Sequence, residues 1–332
     1  MDKTDLKAGS IALVSTPWPL FDRPSIQLGA LKAFVERGLP RIHVDTFHVY
    51  LKIARAVGYP LYHAVSESSW IAESAYAALL YPDRMETIRR HWRLKCRTHS
   101  TLKSLDFETF CCQIEAASVE FLETPAWDRY LLVGFSICLS QLTSSLYFIR
   151  EIKRRFPRLR MVAGGSACAG ALGESLIRNF SEIDYVIAGE GELPLLQLVE
   201  AVQACDADRK VLDIPGLIRN GRPAGVDEPQ QISNLDSLPI PDYTDYFRDL
   251  ASLGPGHAFL PRLPVEMSRG CWWNKGGNGC AFCNLNLQWR GYRAKSPERT
   301  VQEVETLVNR HQVLSLSFMD NLLPAGRLKE RF

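Results

Sequence analysis

The chain has 332 residues, 46% of them hydrophobic and 23% charged, with a formal net charge of +2. That length allows about two domains, the composition is that of an ordinary globular protein, and a charge so near zero gives no electrostatic case for nucleic acid or a membrane surface. No stretch reaches the ~20 apolar residues of a membrane-spanning helix, nine cysteines are too sparse for a disulfide scaffold, and the charged N-terminus lacks a secretory pattern. A cytoplasmic location is expected, where clustered thiols bind metal or catalyse.

In chain order, the β-branched runs Ile11–Ser15, Arg41–Asp45, Leu131–Ser136, Arg160–Ala163 and Asp184–Ala188 read as buried parallel strands. Helical periodicity follows each turn. Ile26, Ala30, Leu31, Phe34 and Val35 share one face and Gly38 stops the helix. Ser140 is placed to cap a helix carrying Leu142, Leu146, Ile149 and Ile152, and Leu195, Leu196 and Val199 mark another. The stretch from about 50 to 127 has no strand character and reads as an inserted set of helices. The expected fold is α/β, a Rossmann-like doubly wound sheet over residues 8–222. Asn220-Gly221 is a hairpin signal near its end.

Residues 223–263 are rich in Pro, Asp, Gly and Ser and read as a partly extended linker. A new strand then starts at Pro264-Val-Glu-Met-Ser and enters a Gly-rich loop bearing Cys271, Cys280 and Cys283. Ser296 and Pro297 open a helix running to about Arg310, and Leu314–Met319 is a further strand ending in Asp320-Asn321. One βαβ unit cannot bury both faces of its sheet, so residues 264–332 read as the incomplete first part of a second domain.

Three cysteines within thirteen residues suit an iron–sulfur cluster with one open iron. A closed zinc site wants four ligands, with His257 or His311 as the candidate fourth. A histidine at a helix C-terminus, however, is more simply explained by the dipole. Phe282, between the last two cysteines, is placed to shield a cluster, as are Trp272 and Trp273. The other six cysteines read as small buried hydrophobes. Three glycine-bearing segments, Gly134 to Gln141, Gly164-Gly165-Ser166 and Gly189-Glu-Gly-Glu192, fall at strand C-terminal ends, where open α/β sheets bind ligands. Tight βα turns give the same pattern. None matches G-x-G-x-x-G, which argues against a nicotinamide cofactor. Glu190 and Glu192, two apart on an extended loop, are expected to point away from each other. Asp320 suits either a site wall or a turn cap. His48 reads as a satisfied loop or core histidine.

The run Arg269-Gly-Cys-Trp-Trp, then Cys280-Ala-Phe-Cys-Asn-Leu-Asn, resembles the cobalamin-dependent radical S-adenosylmethionine (SAM) enzymes, in particular the RiPP (peptide) maturation radical SAM branch. Arg293-Ala-Lys-Ser-Pro-Glu-Arg and Phe318-Met-Asp-Asn-Leu-Leu-Pro are similar to the same branch. The superfamily's common spacing is C-x3-C-x2-C; here the first gap holds eight residues. The resemblance implies that Cys271, Cys280 and Cys283 ligate a [4Fe-4S] cluster whose open iron binds S-adenosylmethionine, and that electron transfer yields a deoxyadenosyl radical. It further implies a cobalamin domain from about Ile11 to Ala204, contacted at Ser136, Gln141, Gly164, Gly165, Gly189, Glu190 and Gly191. No D-x-H-x-x-G stands in the chain, so cobalamin is expected without a histidine ligand.

The implied activity is methylation of an unactivated carbon of a peptide. The alternatives are a truncated or split chain that binds cofactors without turnover, completed by a second chain, and a zinc-stabilised binding module.

Overall fold

The computed structural model describes residues 9–204, 214–219, 230–254, 259–271 and 291–322. Its centre is a six-stranded sheet of β1 (Gly9–Ser15), β2 (Ile42–His48), β3 (Tyr130–Ser136), β4 (Arg160–Gly164), β5 (Tyr185–Ile187) and β6 (Leu217–Arg219). The strand order is 2-1-3-4-5-6. The first five strands are parallel, and β6 returns antiparallel to β5. All five strands read from the sequence are present, with β2 extended to His48. Asn220 and Gly221, the hairpin signal beyond β6, lie outside the described residues.

The strand period of two divides the apolar side chains between two cores. Ile11 and Leu13 join Leu132, Val162 and Ile187 on one face. That face is covered by α1 (Ile26–Gly38) and α9 (Glu192–Gln203). Ala12 and Val14 join Val133, Phe135 and Ala163 on the other. There lie α7 (Leu142–Arg155), α8 (Ala171–Asn179) and the insertion between β2 and β3: α2 (Val49–Val57), α3 (Tyr59–Ser66), α4 (Ser69–Leu80), α5 (Met85–Cys96) and α6 (Phe107–Glu123). Among the described residues no helix is long and apolar enough to cross a membrane.

Side chains of the insertion brace the sheet's C-terminal edge. Glu73 on α4 accepts hydrogen bonds from the backbone N–H groups of Leu142 (3.0 Å) and Thr143 (2.8 Å) at the start of α7. It thereby takes the capping role expected of Ser140, which instead turns through a left-handed φ of 66°. A carboxylate there also meets the positive end of the helix dipole. Trp18, after β1, packs among Tyr62, Tyr76 and Phe110 of the insertion.

The stretch expected to be a partly extended linker is docked and carries α10 (Thr244–Ser252). Its Pro/Asp composition masks an apolar set, Tyr246, Phe247 and Leu250. The docking is partly ionic. Asp245, on α10, meets Lys32 of α1 at 2.7 Å with both side chains almost wholly buried. The same Oδ2 accepts hydrogen bonds from the Thr46 N–H and hydroxyl, each at 2.9 Å. Arg248 adds an ion pair to Oδ1 at 2.9 Å. Tyr243 lies flat against Gly29, where a Cβ would come within 2.5 Å of the ring.

Beyond this segment, β7 (Leu263–Val265) pairs in parallel with β10 (Leu316–Phe318), joined through α11 (Pro297–His311). The Ser296 hydroxyl accepts the Arg299 N–H, as its capping position requires. The strand expected to run on into the cysteine loop is split. After β7 the chain turns and enters β8 (Ser268–Gly270), which forms an antiparallel hairpin with β9 (Tyr292–Ala294). Asp320 explains the break, because its carboxylate accepts the Met267 N–H (3.1 Å) and the Ser268 hydroxyl (2.6 Å) at the turn.

His311 also departs from its expected role. It stacks on Phe247 with ring centroids 4.4 Å apart, and burial, with Arg310 beside it, lowers its pKa to about 4. It is a neutral packing group and no cation for the helix dipole.

Burial pushes the Asp245 carboxyl up, but Lys32 and Thr46 outweigh it and hold the pKa below its ordinary value. Its contribution is therefore complete above the unfolded-chain value and is lost as pH falls through the folded one. Asp245→Asn is expected to cost about 3–5 kcal/mol at neutral pH, because Lys32 stays buried without a counter-charge. In urea denaturation the gap between variant and parent should narrow as the pH drops below the carboxylate range; a gap independent of pH would contradict this account.

Candidate functional site

The C-terminal ends of β3, β4 and β5 open into a cavity of about 380 Å³. One wall is apolar: Leu13, Val162, Ile187 and Leu195, with Ile26, Ala30 and Leu31 from α1. The rim is Ser136, Gly164, Gly165, Gly189, Glu190 and Gly191. The opposite wall comes from a second unit, formed by β7 to β10 and α11 with their connections, and is polar, with Glu266, Ser268, Arg269 and Asn321. Thus six of the seven sequence-predicted rim residues meet at one place. Gln141 is elsewhere, buried below the loops. Its amide donates to the Thr16 carbonyl (2.6 Å) and to the Ser15 hydroxyl (3.2 Å), and its carbonyl accepts the Cys138 N–H (3.1 Å). Thr16 in turn meets the hydroxyls of Ser144 (2.9 Å) and Ser145 (2.8 Å). This ties the loop after β1 to the start of α7, which leaves the opening on the α1 side.

The apolar stripe of α1 divides in an unexpected way. Leu28, Gly29, Lys32 and Val35 are the buried residues of the helix, whereas Ile26, Ala30 and Leu31 remain half-buried and line the cavity. Apolar side chains held on a concave surface at strand ends are the usual lining of a pocket for a bulky organic group.

The rim glycines serve different ends. At Gly165, with φ 104°, a Cβ would lie 2.6 Å from the Ile137 carbonyl oxygen, so the crossing of two loops alone demands glycine. At Gly164 a Cβ would meet nothing nearer than Ile187 at 3.8 Å. The protein has room for a side chain there, and that room is cavity. A flat, bulky cofactor such as cobalamin fits this arrangement of smooth rim and apolar wall. Among the described residues no histidine lines the cavity.

His48 is buried at the end of β2 between Tyr50 and Tyr246. Burial lowers its pKa to about 3, and neither ring nitrogen has a hydrogen-bond partner among the described residues. It is a core histidine, but not a satisfied one. Of the scattered cysteines, Cys96, Cys111 and Cys168 are buried as expected, while Cys112 is exposed, Cys138 is half-buried on the cavity wall, and Cys205 lies outside the described residues.

The polar wall is organised around Arg269. Its guanidinium reaches Glu192 (2.6 Å), Glu266 (2.9 Å) and Glu190 (3.3 Å). Burial opposes its charge, yet Glu192 and Glu266 prevail and raise its pKa above the ordinary guanidinium value. Burial also raises Glu266, against the pull of Arg269 and Lys295. Arg293, directly across the β8–β9 hairpin from Arg269, pairs with the same Glu190. The expectation that Glu190 and Glu192 diverge is therefore wrong. Glu192 is the first residue of α9 and not part of an extended segment, so both carboxylates turn towards one guanidinium.

Cys271 follows β8 directly and is half-buried, its N–H donating to the Gly291 carbonyl at 3.2 Å. At Gly270 a Cβ would stand 2.0 Å from that carbonyl oxygen, so the Arg-Gly-Cys order is dictated by the closeness of the two strands. The hairpin thus forms the stem of the cysteine-bearing loop. Cys280, Phe282 and Cys283 lie outside the described residues, as do Trp272 and Trp273. Among the described residues no group of three or more His, Cys, Asp or Glu is arranged to hold a metal ion.

No protein-family model matches the chain. It is 29% identical over 199 residues to an uncharacterised methyltransferase of Pyrococcus horikoshii, covering 57% of this chain and 39% of that protein. It is 27% identical over 186 residues to the anaerobic magnesium-protoporphyrin IX monomethyl ester cyclase of Cereibacter sphaeroides, covering 53% and 28%. It is 27% identical over 207 residues to the hopanoid C-3 methylase of Methylococcus capsulatus, covering 61% and 37%. The chain therefore spans less than half the length of these relatives.

Among solved structures it is similar to OxsB, a cobalamin-dependent S-adenosylmethionine radical enzyme, with aqua-cobalamin and S-adenosylmethionine bound. The TM-score is 0.58 at 13% identity, over 97% of this chain and 36% of that one. It is also similar to the radical S-adenosylmethionine methyltransferase TsrM of Kitasatospora setae, with cobalamin and a [4Fe-4S] cluster bound. There the TM-score is 0.52 at 17% identity, over 95% and 49%. Over the region compared, the chain has the fold of cobalamin-dependent radical S-adenosylmethionine enzymes.

Proposed function

We propose that this chain forms the cobalamin-binding part and the cluster loop of a cobalamin-dependent radical S-adenosylmethionine methyltransferase acting on an unactivated carbon of a peptide, as in RiPP maturation. The observation that carries the reading is the cavity itself: an apolar stripe on α1 left uncovered opposite Gly164, whose missing side chain the protein has room for. The shared fold and the Cys271, Cys280, Cys283 triad support it. When bound, cobalamin would supply the methyl group, and the [4Fe-4S] cluster with S-adenosylmethionine would supply the electron and the radical.

The chain's own residues shape the site around these groups. Ile26, Ala30, Leu31, Val162 and Leu195 exclude water from one face. Ser136, Gly189 and Gly191 let backbone and hydroxyl approach a large ring edge. Arg269 and its carboxylates put fixed charge on the facing wall, and the three cysteine thiolates would hold the cluster. The similarity to a cyclase favours radical ring closure as a second reading. Formation of S-adenosylhomocysteine together with 5′-deoxyadenosine distinguishes methyl transfer from it.

After anaerobic reconstitution, the chain should take up iron and sulfide in equal amounts and turn brown. Cys280→Ala should abolish the colour. A colourless protein holding zinc would overturn the cluster. Cob(II)alamin is expected to bind base-off and without a histidine ligand, so its electron paramagnetic resonance spectrum should lack nitrogen hyperfine splitting; a split spectrum would reveal an axial nitrogen, from the cofactor's own base or from a histidine, and would contradict this.

The two neighbouring glycines give a further contrast. Gly164→Val should keep the parent melting temperature while weakening cobalamin binding by at least about tenfold. Gly165→Ala should lose about 1–3 kcal/mol of stability to backbone strain and crowding. Equal behaviour of the two variants would contradict the assignment of Gly164 to the ligand.

A further inference from the structure

The stem of the cysteine loop carries two arginines on one rung, Arg269 facing Arg293 across the β8–β9 hairpin. Like charges directly opposed in an antiparallel pair repel, and both are largely buried, with side chains 8% and 13% exposed. Nothing within the hairpin neutralises them both. The counter-charge comes from the loop after β5, on the cavity rim. Glu190, 4% exposed, forms ion pairs with both guanidiniums. Its Oε2 also accepts the Ile232 N–H at 2.9 Å, which fixes the carboxylate from a third side. Glu192, 5% exposed, holds Arg269 at 2.6 Å. Glu266 completes the group from the turn before β8.

Elsewhere the second unit is tied to the loop after β1 by Arg23, which donates to the Ser317 hydroxyl (2.7 Å), and by Arg262, which pairs with Asp22 (3.2 Å). Its own buried apolar cluster comprises only Tyr243, Leu263, Val265 and Leu307 among the described residues. A neighbouring charged set, Lys295 with Glu303 at 2.8 Å and Arg299 with Glu303 at 3.3 Å, ties β9 to α11 and not to the sheet. Ion pairs of this kind supply direction more than net stability, because desolvation offsets their attraction.

We infer that Glu190 and Glu192 are positioning residues that clamp the stem of the cysteine loop, through Arg269 and Arg293, to the rim of the cavity. On the proposed function, on which this inference rests, the clamp fixes the separation of the cluster from cobalamin. A rim loop moved by a ligand would carry the stem with it, and a displaced stem would reshape the rim.

The clamp itself is tested without any cofactor. Glu190→Gln keeps the volume and an acceptor for the Ile232 N–H while removing the shared charge; Glu192→Gln removes one partner of Arg269. In hydrogen–deuterium exchange of the cofactor-free full chain, the stem amides of Cys271 and Lys295 should exchange at least about tenfold faster in Glu190→Gln. Glu192→Gln should give a smaller effect in the same direction, with β1, β3 and β4 as protected as in the parent. Unchanged stem exchange in both variants overturns the clamp. So does a loss of protection spread evenly over sheet and stem, since the carboxylates would then be general supports.

In the reconstituted parent, the dipolar coupling between cob(II)alamin and the reduced cluster should give one narrow distance distribution that broadens in Glu190→Gln. A parent that binds both groups with a distribution unaltered by the substitution overturns the inference while the functional reading stands. A parent that binds neither group refutes that reading and the role in cofactor placement with it, and the exchange experiment still decides whether the clamp exists.

Discussion

The contact on which the arrangement of the two units depends is that of one buried guanidinium, Arg269, with three carboxylates drawn from different parts of the chain. A small apolar cluster cannot by itself orient a hairpin on a sheet, because hydrophobic contact has no preferred direction. A planar guanidinium with several fixed donors does. Glu190 and Glu192 belong to the sheet's rim, Glu266 to the turn that opens the stem, and Arg269 to the strand that ends at Cys271. The cavity wall and the approach to the cysteine loop are therefore one object. The Lys32–Asp245 pair does similar work further back, seating α10 on α1 and β2.

The parallel sheet was legible because buried strands are continuous β-branched runs separated by turn residues, and nothing in the tertiary structure competes with that pattern. The insertion was legible as helices, though not as the element that caps α7 through Glu73. What escaped were features that depend on contacts across the chain. Composition made residues 223–263 read as a linker, yet Asp245 is paired with a buried lysine more than two hundred residues away in sequence. Period alone placed Ile26, Ala30 and Leu31 on a core-facing stripe. The structure leaves them half-covered, and that surplus of apolar surface is the better pointer to a ligand.

Position along the sequence brings rim residues to one cavity but does not assign their separate roles. Strand C-terminal ends are where an open α/β sheet admits ligands, so rim residues could be named from position alone. Gly164 and Gly165 look alike in the sequence. One is required by a carbonyl 2.6 Å from where its Cβ would be, and the other is not. Gln141 shares the loop with Ser136 but spends its amide on the protein's own backbone. Local geometry alone makes Glu190 and Glu192 an extended pair, whereas Glu192 opens α9 and turns towards the same guanidinium as Glu190.

The paired arginines of the stem also bear on the order of assembly. A two-stranded hairpin is marginal in water, and this one adds a repulsive rung at Arg269 and Arg293. It gains nothing by closing until Glu190 is in place, and Glu190 takes its position only when β5 has joined β4 and α9 has formed behind it. Closing the stem is therefore most favourable on a sheet that is already formed. Until then Cys271 belongs to a slack chain, so the order of assembly itself delays the moment at which its backbone is held against Gly291.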